Sequence, residues 1–156
     1  MKVKACMTSE VRAINAEESL QEAAKMMWEG DCGALPVINN ENRVIGMITD
    51  RDIAMAAFIQ GCLLGDIPVG ESMSKNLVTT GIDDDLSAAE TLMQVHQLRR
   101  LPVLDRKQHL VGILSLNDIA RSYYKDGGKQ VKANEVADTL ASVCTHRTLA
   151  KVPTAA

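Results

Sequence analysis

The chain has 156 residues, 46% of them hydrophobic and only 3% aromatic, with a net charge of −3. That apolar content supports a buried, aliphatic core and argues against a disordered chain. The lack of a basic stripe and the scarcity of rings exclude the usual chemistry of nucleic-acid binding, which needs cations for phosphate and aromatics for bases.

Cys6, Cys32, Cys62 and Cys144 are widely separated, with no CxxC and no Cys/His cluster of zinc-like spacing. Met1-Lys2-Val3-Lys4 leads into no apolar signal segment, so reduced thiols and a cytoplasmic location are expected. No apolar run approaches membrane-spanning length, and no membrane partner is expected.

In chain order, Val11 to Ile14 reads as a short strand. Ser19 starts a helix, with Glu22 completing a capping box. Leu20, Ala23, Ala24 and Met27 form its buried stripe, and Gly30 ends it. Leu35 to Ile38 is a strand, Asn39 to Asn42 a turn, Val44 to Thr49 a strand and Asp50 to Gln60 a helix. The stretch from Gly61 to Glu71 carries Gly61, Gly65, Pro68 and Gly70 and reads as a linker. The pattern then recurs. A strand is expected near Leu77 to Thr80, and a helix from Asp85 with Leu86, Ala89 and Met93 inside. Strands follow at Leu101 to Leu104 and Leu110 to Ser115, then a helix from Leu116 to about Tyr124. After Lys125 to Gly128, the residues Ala133, Val136, Ala137, Leu140 and Cys144 mark one more amphipathic helix. Asn134 is its expected cap, and His146 and Arg147 suit its C-terminus. Val152 to Ala156 are expected to fray.

The recurrence is a true repeat. A shift of 66 residues places Met7 on Met73, Leu20 on Leu86, Met27 on Met93 and Leu35-Pro36-Val37 on Leu101-Pro102-Val103 without a gap. It also places Gly46 on Gly112 and Asp52-Ile53-Ala54 on Asp118-Ile119-Ala120. Each unit is too small to bury its own apolar face, so the two should pack together. The expected organisation is repeat 1 at residues 1–65, repeat 2 at 66–125, and a C-terminal helix and tail at 126–156.

Two stretches of each repeat, Leu35 to Ile38 with Val44 to Ile53 and Leu101 to Leu104 with Leu110 to Ile119, resemble the end of a cystathionine-β-synthase (CBS) domain. The resemblance spans residues 5 to 124. It implies an α/β (α+β) fold of two β-α-β-β-α repeats related by a pseudo-two-fold axis, with two clefts at their interface. It implies an adenosine-containing regulatory ligand (AMP, ADP, ATP, NAD or S-adenosylmethionine) and association of pairs into a homodimer. In the family, a Ser/Thr-x-x-Asp corner holds ribose and phosphate, and the backbone around Leu-Pro holds adenine.

On these positions the resemblance points to Thr49 and Asp52 in one copy and Ser115 and Asp118 in the other. Ala34, Leu35 and Pro36, and Leu101 and Pro102, are the adenine-side residues. The physical case is that a helix N-terminus offers free amides and a positive dipole end, and that a carboxylate there can accept both ribose hydroxyl protons. Both corners also fit a plain capping box, and that alternative stays open. Arg51, Arg99, Arg100 and Lys75 are candidate phosphate contacts. Copy 1 has Arg51 beside its aspartate where copy 2 has Asn117. Copy 2 has Arg99 and Arg100 where copy 1 has Gly33 and Ala34. The two clefts are therefore expected to differ, each gripping phosphate with its own arginines. Pro36 and Pro102 are expected to expose a backbone edge, since proline donates no ladder bond.

Asp83-Asp84-Asp85 reads as a solvated turn, and His96, His109 and His146 as isolated residues. Catalytic motifs are absent: there is no GxxxxGK[ST], GxGxxG, HExxH or GxSxG. The expectation is a non-catalytic sensor without metal or catalytic cofactor, possessing an effector partner still to be identified. The alternative is a structural dimerisation protein without a ligand.

Overall fold

The computed structural model describes residues 1–145. β1 (Ile14–Asn15), β2 (Ala34–Ile38) and β3 (Val44–Thr49) form one sheet in that order, and β4 (Thr80–Gly81), β5 (Arg100–Leu104) and β6 (Leu110–Ser115) form a second. In each, the short first strand runs parallel to the central one and the third runs antiparallel. The registers match down to a shared irregularity, which falls between Val37 and Ile38 and again between Val103 and Leu104. α1 (Leu20–Glu29) and α2 (Asp50–Gln60) serve the first sheet, and α4 (Leu86–His96) and α5 (Leu116–Asp126) the second. α3 (Val69–Ser72) lies in the linker, and α6 (Ala133–Cys144) follows the second repeat. This is the expected pair of β-α-β-β-α units with an added helix.

β1 and β4 depart from the expected positions. β1 starts at Ile14, where the reading placed its end, and β4 starts at Thr80. Parallel pairing reaches only Val37–Ile38 and Val103–Leu104, so the residues ahead leave the sheet. At α1, the Ser19 hydroxyl accepts the Glu22 N–H at 3.2 Å, but the Glu22 carboxylate turns to Lys25 instead of closing the box.

Each repeat has its own aliphatic core. Leu20, Met27, Leu35, Val37 and Ile48 anchor the first; Leu86, Met93, Leu101, Val103, Leu114 and Ile119 anchor the second. The leading segments, however, are exchanged. Val3 and Cys6 are buried in the second core, and Ile67 and Val69 in the first. Thr8 and Ile113 exchange backbone hydrogen bonds at 3.0 and 2.9 Å, and Met47 and Ser74 do so at 3.1 and 2.8 Å. Lys2 and Lys4 pair with Asp85 and Asp83, both at 3.0 Å, which employs the acidic run in holding the N-terminal segment on repeat 2.

Two glycines permit the exchange. A Cβ at Gly112 would lie 2.6 Å from Met7 Sδ and 3.0 Å from the Thr8 carbonyl oxygen; one at Gly46 would lie 2.6 Å from the Ser74 carbonyl oxygen and 2.8 Å from Met73 Sδ. No side chain fits beneath a backbone that close. Gly112→Ala is expected to cost about 1–3 kcal/mol, the usual penalty of overpacking. Urea denaturation measures it, and an unchanged midpoint would mean the crossing segment is not held there.

α6 packs on α4 and α5, burying Val131 and Val143 in the second core. Its start is a correction. Asn134 lies inside the helix, and the Glu135 carboxylate reaches back to the Lys132 N–H at 2.9 Å, doing the capping expected of Asn134. His146, Arg147 and Val152 to Ala156 lie outside the described residues. The four cysteines are free.

The α4–α6 seam traps Glu90, which is 6% exposed and has no hydrogen-bond partner for Oε1. Burial pushes its carboxyl pKa up and Glu135 adds to this, while the Thr139 hydroxyl and the N-terminal ammonium oppose it. A carboxyl whose folded pKa lies above its unfolded value costs nothing at low pH. It then penalises the fold as pH rises past the unfolded value. Glu90→Gln is expected to raise Tm by roughly 3 °C at pH 8. The gain should vanish near pH 4, as read by calorimetry at both values.

Candidate functional site

Both Ser/Thr-x-x-Asp corners are capped helix starts. At α2, Asp52 Oδ2 accepts the Thr49 N–H at 2.9 Å and the Thr49 hydroxyl at 2.7 Å, while the Asp52 N–H returns to Thr49 Oγ1 at 3.2 Å. At α5, Asp118 Oδ2 accepts the Ser115 N–H at 2.8 Å and the Ser115 hydroxyl, and the Asp118 N–H returns at 3.2 Å. The capping alternative is thus real at both corners. It uses one carboxylate oxygen of each aspartate, leaving the other for further work.

The second oxygen separates the two corners. Asp118 Oδ1 accepts the Thr8 hydroxyl at 3.1 Å and a short bond from the Arg121 guanidinium. Asp118 is only 4% exposed, and its four bonds fill the acceptor capacity of a carboxylate. Among the described residues no hydrogen bond to Asp52 Oδ1 is found.

A cleft of about 540 Å³ opens at the second corner. Its walls come from both repeats: Gly33, Ala34, Leu35 and Pro36 of copy 1 face Ser115, Asn117, Asp118 and Arg121 of copy 2, with Thr8, Val11, Arg12 and Arg100 at the sides. β1 pairs only with Val37 and Ile38, so the backbone from Ala34 to Pro36 is unpaired on that side. Pro36 lies in the central strand, and its backbone edge is open because β1 is so short.

Of the sequence-derived site residues, the cleft gathers Ala34, Leu35, Pro36, Arg100, Ser115 and Asp118. Thr49, Arg51, Asp52, Lys75, Arg99, Leu101 and Pro102 do not line it. The repeat shift relates six of those seven to residues that line this cleft; Lys75 is carried to Ser9, which does not. The pairing of arginines with clefts is a correction. Arg100 was assigned to a different cleft from Gly33 and Ala34, but all three line this one. The cleft takes Gly33 and Ala34 from one copy and Arg100 from the other, so the arginines do not divide between the clefts by copy.

Arg121 and Thr8 were missed. Arg121 lies three residues after Asp118 on one helix face, a spacing that does bring side chains together. Thr8 lies 110 residues from Asp118, and no local pattern could join them. The cleft's charges nearly balance. Arg121 faces Asp118, and Arg12 lies 3.8 Å from Glu29. Arg100 is half-buried and, among the described residues, has no ion-pair partner.

A second groove, of about 410 Å³, lies between α1 and α2, lined by Ala24, Met27, Trp28, Asp50 and Ile53. Trp28 is 88% exposed. The repeat shift carries Trp28 to Gln94, whose amide donates to Thr139 of α6 at 2.8 Å. The groove of repeat 1 is open where α6 covers repeat 2. Among the described residues no group of three or more His, Cys, Asp or Glu could hold a metal ion, and no helix is long and apolar enough to cross a membrane.

Two in-register repeats with a shared inter-repeat cleft define a tandem-repeat pair of the CBS type. A family model described as CBS domain matches residues 3–58 and again 64–125, and the chain belongs to that family. It is 42% identical over 118 residues to the CBS domain-containing protein YhcV of Bacillus subtilis (strain 168), covering 76% of this chain and 82% of that protein. Hypoxic response protein 1 of Mycobacterium tuberculosis is 34% identical over 115 residues, 74% of this chain and 80% of that one. A crystal structure of Hypoxic Response Protein I with two coordinated zinc ions matches with a TM-score of 0.71 at 32% identity, over 78% of this chain and 98% of that chain. The CBS domain pair of protein MJ0100, solved with 5′-methylthioadenosine and S-adenosyl-L-methionine, matches with a TM-score of 0.68 at 26% identity, over 81% and 98%.

Proposed function

We propose that the chain is a regulatory module without catalysis of its own, and that it binds an adenosine-containing ligand in the cleft between its repeats. The observation that carries this reading is that one cleft joins an open strand backbone at Ala34–Pro36, a carboxylate at Asp118 and, at Arg100, a guanidinium without an ion-pair partner among the described residues. In this reading adenine takes the strand backbone, the ribose hydroxyls take Asp118, and a phosphate takes Arg100. The ligand of MJ0100, an adenosine derivative, supports the class. Thr49, Arg51, Asp52, Lys75, Arg99, Leu101 and Pro102 form the related surface for a second ligand. A ligand held by both repeats favours the packing that closes on it, and this population shift is the signal passed to a partner.

The test is a thermal-shift panel of AMP, ADP, ATP, NAD and S-adenosylmethionine, followed by calorimetry on Asp118→Asn. Loss of a charged hydrogen bond is expected to weaken the best ligand about 10- to 150-fold. Parental affinity in that variant would reduce the corner to a helix cap. No shift with any ligand would favour the structural dimerisation protein.

We further propose that the signal passes through a homodimer formed by the α1–α2 face of repeat 1. Trp28 is exposed at the open groove, and Phe58, Ile59 and Leu63 are exposed on α2 and just after it, 73% or more each. Phe58→Glu is expected to shift the sedimentation coefficient to that of a monomer at about 20 μM; a parent that is itself monomeric at tens of micromolar would sink the proposal.

A further inference from the structure

We propose that Arg121 is a ligand-exchanged gate on Asp118, and that it makes this cleft selective for adenosine ligands carrying a 5′-phosphate. The inference rests on reading the cleft as a nucleotide site. Its starting point is geometric. Asp118 is the carboxylate placed to receive ribose, yet each of its oxygens is already occupied. The two bonds on Oδ2 belong to the cap and hold α5 to β6. Those on Oδ1, from Thr8 and Arg121, come from side chains lining the cleft. A ribose hydroxyl can reach the carboxylate only by displacing a donor from Oδ1.

Arg121 is the donor able to move. Its side chain is 65% exposed, whereas the Asp118 side chain is 4% exposed. Displacing it strips a buried carboxylate of its charge-assisted partner, a loss that a neutral hydroxyl does not restore. Adenosine alone therefore binds against the gate. A phosphate changes the balance. The displaced guanidinium lines the same cleft as Arg100, and the two can take a phosphate together, with the bidentate geometry available to arginine. The gate opens at no net cost only when the ligand brings its own anion.

The other corner supplies the internal control. The repeat shift places Met55 where copy 2 has Arg121, and Asp52 Oδ1 has no hydrogen-bond donor among the described residues. No gate stands there. Neutral or cationic adenosine derivatives, such as methylthioadenosine, meet no charge exchange at Asp52, so the two corners sort ligands by phosphate.

The experiment is calorimetry of the full chain with adenosine and with AMP, comparing the parent, Arg121→Met and Arg121→Lys. Methionine is the residue that copy 1 carries at this place on the equivalent helix, so the fold tolerates it. Arg121→Met is expected to weaken AMP about 10- to 100-fold and to strengthen adenosine several-fold, so that the two affinities move in opposite directions. Arg121→Lys should recover most of the AMP affinity, since an ammonium still meets phosphate. Equal losses for both ligands would make Arg121 a structural residue, and no change for either would make it idle; both overturn the gate while leaving the nucleotide reading intact. A parent that binds neither AMP nor adenosine overturns the nucleotide reading itself, and the gate with it.

Discussion

The close approach of two backbones at Gly46 and Gly112 is the constraint on which the rest of the molecule depends. Each glycine lets the segment leading into one repeat lie across the third strand of the other, where a Cβ would meet the Ser74 carbonyl oxygen at 2.6 Å or Met7 Sδ at 2.6 Å. From that crossing follow the burial of Val3 in the second core and of Ile67 and Val69 in the first. The position of Thr8 on Asp118 follows as well. A cleft walled by Gly33–Pro36 on one side and Ser115–Arg121 on the other exists because the repeats are interlocked rather than merely adjacent.

The corner aspartates show how a helix cap can leave half of a carboxylate uncommitted. A capping box satisfies the first free amides of a helix, and it needs only one carboxylate oxygen. The second oxygen is then held at a fixed angle by the first. At Asp118 it accepts from Thr8 and Arg121; at Asp52 it has no hydrogen-bond donor among the described residues. The difference between the corners comes from residues nearby in space, Thr8 and Arg121, rather than from the motif itself.

The sequence made visible what is periodic and local. The duplication, the four long strands and the helices were legible because alternation and the helical stripe at Leu20, Ala23 and Met27 act within a few residues. The capping chemistry of both corners was legible through spacing. What stayed hidden depends on distance along the chain. Thr8 and Asp118 meet only after the crossing, and the assignment of Arg100 to its cleft depends on the same event. The short reach of β1 is set by where Ile14 meets Val37, a matter of register that propensity does not encode. Asn134 illustrates a smaller limit: two residues in one helical turn could cap α6, and the carboxylate at Glu135 took the place.

The exchange of leading segments also imposes an order on synthesis. Val3 and Cys6 are made well before the surfaces that bury them, which belong to α4, β5, β6 and α5. Until those helices and strands emerge, the N-terminal residues must wait in solvent, while repeat 1 can already draw in Ile67 and Val69 and close its own core. The nascent chain should therefore gain a folded first half early and a tethered, exposed N-terminus for most of translation, with the inter-repeat cleft completed only as the second half arrives.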